Sequence, residues 1–172
     1  MNLMDIAPFE KWQELEDVVC KRSGLNVSVF DMNGTRITGR DNWVNQLCPV
    51  IKANEKGQAF ICSLAHQNIV NLTERSNKTL IEECDAGLVK FVVPIFINCE
   101  MIGVVGGCGL LLPDGEVDTF LIQKTIGGDE EQYMQLSENI GTVSEEDLLE
   151  LSAFIELQID ELKQNCLVGL PN

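Results

Sequence analysis

Cysteine is the residue type with the greatest chemical potential in this sequence. Seven cysteines occur among 172 residues, and no two of them form a C-x-x-C pair. This spacing argues against a zinc ribbon and against a thioredoxin-type motif. Thiolates that are far apart in sequence can still converge in a fold and hold zinc or an iron–sulfur cluster, although ordinary buried thiols would be distributed in the same way. The four candidate metal ligands are Cys48, Cys62, Cys84 and Cys108.

The only histidine offers a second kind of chemistry. His66 follows Cys62 by four residues, so the two side chains would share one face of a helix. The imidazole could then serve as the base for a cysteine nucleophile. The alternative is a polar helix residue beside a small buried thiol, which is a common role for free cysteine.

The glycine-rich segment Gly106–Gly109 is the nearest approach to a nucleotide-binding loop. It lacks the G-x-G-x-x-G spacing, and it leads into Leu110–Pro113 rather than into a helix. A G-x-x-x-x-G-K-[ST] phosphate loop does not occur in the sequence. The pattern favours a strand that lies against a cavity or a partner, with glycines that allow close approach to its backbone. We therefore expect no enzymatic activity.

The charge balance restricts the possible partners. The chain has 27 acidic and 12 basic residues, which gives a formal net charge of −15. We expect it to repel nucleic acid and anionic membrane surfaces. Neither a signal peptide nor an apolar stretch long enough to span a bilayer is visible. We therefore expect a cytoplasmic protein whose cysteines are thiols, metal ligands or redox groups rather than disulfides.

The elements that would position these residues follow from hydrophobic spacing and turn signals. A helix that begins at about Pro8 and ends at Gly24 precedes a hairpin, in which Val27–Phe30 and Thr35–Thr38 flank an Asn-Gly turn. Two helical pieces, three strand-like runs and a short helix come next, and a long helix begins at a capping sequence at Ser144. The sequence therefore predicts an α+β domain, with a five-stranded antiparallel sheet and helices on one face.

An ordered series of short motifs resembles the PocR sensory domain family, a PAS-like variant, over roughly residues 8–143. The motifs are GLNVSVFDMNG at 24–34, LCPVI at 47–51, FICS at 60–63, CDAGL at 84–88, VPI at 93–95, MIG at 101–103 and GGCG at 106–109. The resemblance implies a sensor that binds a small organic molecule between the sheet and its helices. Cys48, Cys62 and Cys84 fall on positions where the family pattern also has cysteine. Asp85 and Cys108 depart from that pattern, which has histidine and glutamine there.

The resemblance also suggests which residues surround a ligand and how a signal leaves. The candidate ligand-binding residues are Trp43, Phe60, His66, Cys84 and Phe91, each of which could instead be part of the core. We expect a sensory domain over residues 1–143 and a signalling or dimerisation helix with its tail over 144–172. That helix could pack on its own sheet or pair with a second chain, so a homodimer is possible. We expect the output module to lie outside this chain.

Overall fold

The computed structural model describes residues 1–168, with side-chain environments as far as residue 164. Helices and strands follow one another in the order α1 (Leu3–Ile6), α2 (Phe9–Ser23), β1 (Asn26–Asp31), α3 (Leu47–Ala53), α4 (Glu55–Gly57), a π-helix (Gln58–Ser63), α5 (Leu64–Ser76), β2 (Leu80–Glu83), β3 (Val89–Ile97), β4 (Glu100–Cys108), α6 (Thr119–Ile126), α7 (Glu130–Ser137) and α8 (Glu145–Val168). The α+β class is therefore confirmed. None of the helices in this described part is long and apolar enough to cross a membrane.

The sheet has four antiparallel strands in the order β1-β4-β3-β2. The prediction of a fifth strand, Thr35–Thr38, is wrong. The expected turn does form, because the Asp31 carboxylate accepts hydrogen bonds from the backbone N–H groups of Asn33 and Thr35. Beyond it, only one isolated bridge, between Phe30 and Arg36, continues the pairing. The buried carboxylate of Glu16 on α2 accepts from the Val29 backbone N–H at 2.7 Å and from the Thr38 hydroxyl at 2.5 Å, so the pairing of the returning segment with β1 ends there.

Helices cover both faces of the sheet, so the expectation of helices on one face is also wrong. On β3, Phe91 and Val93 join a core cluster that includes residues of α2 and α8, whereas Val92 packs with Ile69 of α5. Successive side chains of a strand point to opposite faces. A strand buried on both faces is a nearly continuous apolar run, and the run Leu88–Ile97 has this composition.

A second apolar cluster forms where α3, α6 and α7 meet the π-helix. Its buried members include Leu47, Ile61, Ile122 and Tyr133. Helix α7 is not among the elements predicted from the sequence. The carboxylate of Asp129 caps it by accepting from the Glu131 backbone N–H at 3.1 Å. This cluster supports the end of the sheet at which most of the cysteines lie.

The long helix α8 packs on its own sheet. Its residues Leu148, Leu151, Ile155 and Ile159 are all buried in the same core cluster as α2 and β3. At its start the Ser144 hydroxyl accepts from the Asp147 backbone N–H at 3.0 Å, as the capping sequence predicts. Of the two arrangements considered for this helix, the structure therefore shows packing within the chain.

Candidate functional site

A cavity of about 820 Å³ lies between the α5 face of the sheet and the helices above it. The sheet forms the floor of the cavity. In the strand register, Asn26 of β1, Cys108 of β4 and Lys90 of β3 occupy one row across the sheet. All three side chains line the cavity. Cavities that hold small molecules in proteins have volumes of roughly 300–1,000 Å³. The space is therefore large enough for a small organic ligand.

The cavity wall opposite the floor is formed by the π-helix and α5. The π-helix contributes Gln58, Cys62 and Ser63, and α5 continues the same wall with His66 and Val70. A π-helix is wider than an α-helix and is frequently found at functional sites. In this position it shifts the side chains that follow it relative to those of a continuous α-helix.

The four cysteines proposed from sequence all line this one cavity. Cys48 is on α3, Cys62 is on the π-helix, Cys84 follows β2, and Cys108 ends β4. Asn45 fixes the start of α3, because its carbonyl oxygen accepts from the Cys48 backbone N–H at 2.7 Å while its amide donates to the Gly109 carbonyl at 2.6 Å. The same amide lies 3.3 Å from the Cys48 sulfur.

Burial keeps the thiols of Cys48, Cys62 and Cys84 in their protonated form. Burial raises the pKa of Cys48 to about 12, and the neighbouring thiol of Cys108 adds to this effect. Burial and the nearby Cys84 likewise raise the pKa of Cys62 to about 11. The pKa of Cys84 is also raised, chiefly by burial. Among the described residues, no group of three or more His, Cys, Asp or Glu side chains is arranged to hold a metal ion, and the six cysteines whose side chains are described are free.

His66 is buried in the cavity wall without a hydrogen-bond partner. Its side chain is 8% exposed, and neither ring nitrogen is paired within the described part of the chain. Its ring lies against Phe30. Burial, together with the positive charges of Lys90 and Arg36, lowers the pKa of His66 to about 3. The neutral imidazole therefore keeps one N–H donor and one nitrogen acceptor unpaired.

This geometry does not favour a cysteine nucleophile at Cys62. An activated Cys–His pair needs a hydrogen bond and a lowered thiol pKa. The ring nitrogens of His66 have no partner, and the pKa of Cys62 is raised while that of His66 is lowered. Both shifts oppose formation of a thiolate–imidazolium pair.

Three basic side chains line the cavity and were not predicted as site residues. Lys52 lies 5.2 Å from the Trp43 ring, and Arg36 lies 5.7 Å from the Phe30 ring. Both also form ion pairs with Asp41. Lys90 lies on the floor, and no ion pair to it occurs within the described residues. A sequence signal for Lys90 exists, because it is the only charged residue in the apolar run of β3.

The predicted ligand-binding residues divide into two groups. Trp43, His66 and Cys84 line the cavity. Phe60 does not, since it lies on the outer side of the π-helix and is 59% exposed. Phe91 is fully buried in the core on the other face of the sheet, where its ring lies over Gly107. Phe91 immediately follows Lys90 on β3, and the alternation of side chains therefore directs it away from the cavity.

Comparison with known families agrees with the motif resemblance. The family model described as the sensory domain found in PocR matches residues 5–166. The match crosses the boundary expected at residue 143 and takes in most of α8. No curated protein and no solved structure gives a significant match to this chain. Because the family model covers nearly the whole chain, the protein belongs to the PocR sensory domain family.

Proposed function

We propose that this domain senses a small organic ligand that binds in the cavity between the sheet and the π-helix. The observation that carries the proposal is His66, a buried polar side chain in the cavity wall with both ring nitrogens unpaired. Buried polar groups in proteins are normally hydrogen-bonded, and a group without a protein partner points to a ligand or a bound water. The apolar and aromatic lining supplies the remainder of a typical small-molecule site.

The signal would leave through the sheet to α8. The cavity and α8 lie on opposite faces, and the neighbouring residues Lys90 and Phe91 of β3 contact the cavity and the α8 core cluster respectively. In this account, ligand binding shifts an equilibrium between two arrangements of α8. A ligand can do so only if it binds one of these arrangements more tightly than the other. We propose that the sensor acts in the cytoplasm on an output module, and that α8 also contributes to a homodimer.

A ligand screen with a matched pair of variants tests the proposal. Small alcohols, diols, methylated compounds and organic acids would be tested by thermal shift and calorimetry at millimolar concentration. Ala65 lines the cavity, whereas Ala59 is exposed on the π-helix. We expect Ala65→Trp to abolish binding by filling the space and Ala59→Trp to leave it intact. Binding that survives in a folded Ala65→Trp variant, or no binding by any compound, would contradict the proposal.

A second candidate function is metal or iron–sulfur sensing. Four thiols that line one cavity favour it, because sulfur ligands suit zinc and iron–sulfur clusters. Four thiols are the right kind of ligand for zinc or an iron–sulfur cluster. No three ligands among the described residues are close enough to hold a metal, so the four sulfurs would have to move closer together. Cys48, Cys62, Cys84 and Cys108 would hold the ion or cluster, and binding would release protons from the thiols. Anaerobic purification followed by metal analysis and a visible spectrum tests this, and a folded, colourless, metal-free protein with free thiols would refute it.

A further inference from the structure

We propose that the cavity selects an anion, namely a small organic acid whose carboxylate lies against Lys90 and whose apolar body lies against the aromatic wall. The inference deepens the proposed sensor function and rests on it. It is carried by the charge distribution around the cavity, by the unpaired state of Lys90 and by the unpaired ring of His66.

The charge of the cavity is opposite to that of the chain. Acidic residues outnumber basic residues by 27 to 12 in the sequence. The described residues that line the cavity nevertheless include Arg36, Lys52 and Lys90 and no aspartate or glutamate. Asp41 pairs with Arg36 and Lys52, so its charge offsets only part of theirs. The walls therefore keep a positive charge inside a strongly acidic protein, and such a site concentrates anions.

Lys90 is the cation best placed to meet a ligand. It lies near the start of the inner strand β3, between Cys108 of β4 and Glu82 of β2 in the strand register. Glu82 is exposed, does not line the cavity and forms no ion pair with Lys90 within the described residues. Lys90 is half-buried and has no counterion among the described residues, and a bound carboxylate would supply one through a charge-assisted hydrogen bond.

The remaining wall fits the rest of such a ligand. The neutral imidazole of His66 offers an N–H that a carboxylate oxygen can accept, in the same cavity as Lys90. Phe30, Trp43 and Val70 supply apolar surface. A single free lysine beside one imidazole suits a monocarboxylate better than a polyphosphate, which normally uses a loop of backbone N–H groups.

Pairs of isosteric ligands test the inference directly. Butyrate with butyramide, benzoate with benzamide, and phenylacetate with phenylacetamide differ within each pair by one negative charge. We expect calorimetry at neutral pH to show the acid binding roughly tenfold or more tightly than its amide. Raised salt should reduce that difference, because ion pairing is screened. Equal or tighter binding of the amide, or no binding by any of these six compounds, would overturn the inference, and the sensor proposal would still be decided by the wider ligand screen.

A pair of lysine variants locates the effect. Lys90→Met keeps most of the aliphatic side chain and removes the charge, and Lys78→Met removes an exposed charge that does not line the cavity. We expect Lys90→Met to abolish the preference for the acid, and Lys78→Met to retain it. If the preference persists in Lys90→Met, the assignment to Lys90 is wrong. The comparison of acids with amides in the unmodified protein remains decisive if Lys90→Met does not fold.

Discussion

The imidazole of His66 lies against the ring of Phe30, with centroids 4.1 Å apart and planes inclined by 39°. Phe30 comes from β1 and His66 from α5, so the contact joins the sheet to the helical wall of the cavity. It also keeps the imidazole in an apolar setting, where protonation is unfavourable. The only histidine of the chain therefore reports on the cavity, and its NMR signals need no assignment by mutagenesis.

Protonation of His66 should oppose folding in mild acid. Its pKa is 6.5 when unperturbed and about 3 in the folded protein. At a pH between these two pKa values, His66 is protonated in the unfolded chain and neutral in the folded chain. Stability should therefore fall as pH falls from about 6.5 towards 3, by up to about 1.4 kcal/mol per pH unit from this group.

Urea unfolding of the wild type and of His66→Gln across this pH range isolates the effect, because glutamine does not titrate. We expect the stability advantage of the wild type over the variant to shrink steadily with acid. Parallel stability curves, or an imidazole NMR titration with a midpoint near 6.5, would show that His66 is not buried as described.

Two adjacent glycines of β4 should respond differently to alanine. A Cβ at Gly107 would lie 2.1 Å from the fully buried Phe91 ring, whereas a Cβ at Gly106 would have its nearest neighbour, the Phe30 ring, at 3.4 Å. We expect Gly107→Ala to lower the free energy of unfolding by about 1–3 kcal/mol, since the core ring has no room to move. Gly106→Ala should change it by less than about 0.5 kcal/mol. Equal losses in denaturant unfolding would contradict the packing of Phe91 over Gly107.

Glu16 should matter as a hydrogen-bond acceptor more than as a charge. Its buried carboxylate accepts from the Val29 backbone N–H at 2.7 Å and from the Thr38 hydroxyl, and burial raises its pKa despite these bonds. Glu16→Ala leaves the Val29 N–H unpaired and should cost about 2–3 kcal/mol at neutral pH. Glu16→Gln keeps an acceptor for that N–H, and we expect less than half of the loss. A comparable loss in both variants would show that the negative charge itself holds the segment 36–38 in place.

Thiol reactivity should follow burial. Because thiolates are the reactive form, the pKa values of about 12 for Cys48 and about 11 for Cys62 predict slow alkylation by iodoacetamide at mildly alkaline pH. Cys99 is exposed, and we expect it to react at least about 100-fold faster than either. Peptide mapping by mass spectrometry separates each site from Cys166, whose side chain lies outside the described residues. Similar rates at Cys48, Cys62 and Cys99 in the native protein would contradict the raised pKa values.

The sequence predicted the elements that depend on local signals. The Asn-Gly turn, the cap at Ser144 and the long helix that follows it depend on residues close in sequence, and all three are present. The number of strands was wrong because a tertiary contact decides it. Thr38 pairs with Glu16, which lies 22 residues earlier in the chain, and no local pattern indicates that contact.

The residues around the cavity were predictable only where chemistry singled them out. Cysteine, tryptophan and histidine are uncommon enough to be noticed, and the six that were singled out on this basis as cavity or metal-site candidates do line the cavity. Phe91 was misplaced because β3 is apolar on both faces, so its hydrophobicity does not reveal which side it occupies. The same pattern could have identified Lys90, since a lone lysine in such a strand must have a polar environment on one face.

The most direct test of the central claim is the His66 ring resonance, recorded while the tightest-binding compound of the screen is added. Because His66 is the only histidine and lines the cavity, we predict a saturable shift with the same dissociation constant as calorimetry gives. The shift should disappear in Ala65→Trp and persist in Ala59→Trp. A compound that binds by calorimetry and leaves the His66 resonance unchanged would bind elsewhere, and that result would contradict the assignment of this cavity as the sensory site.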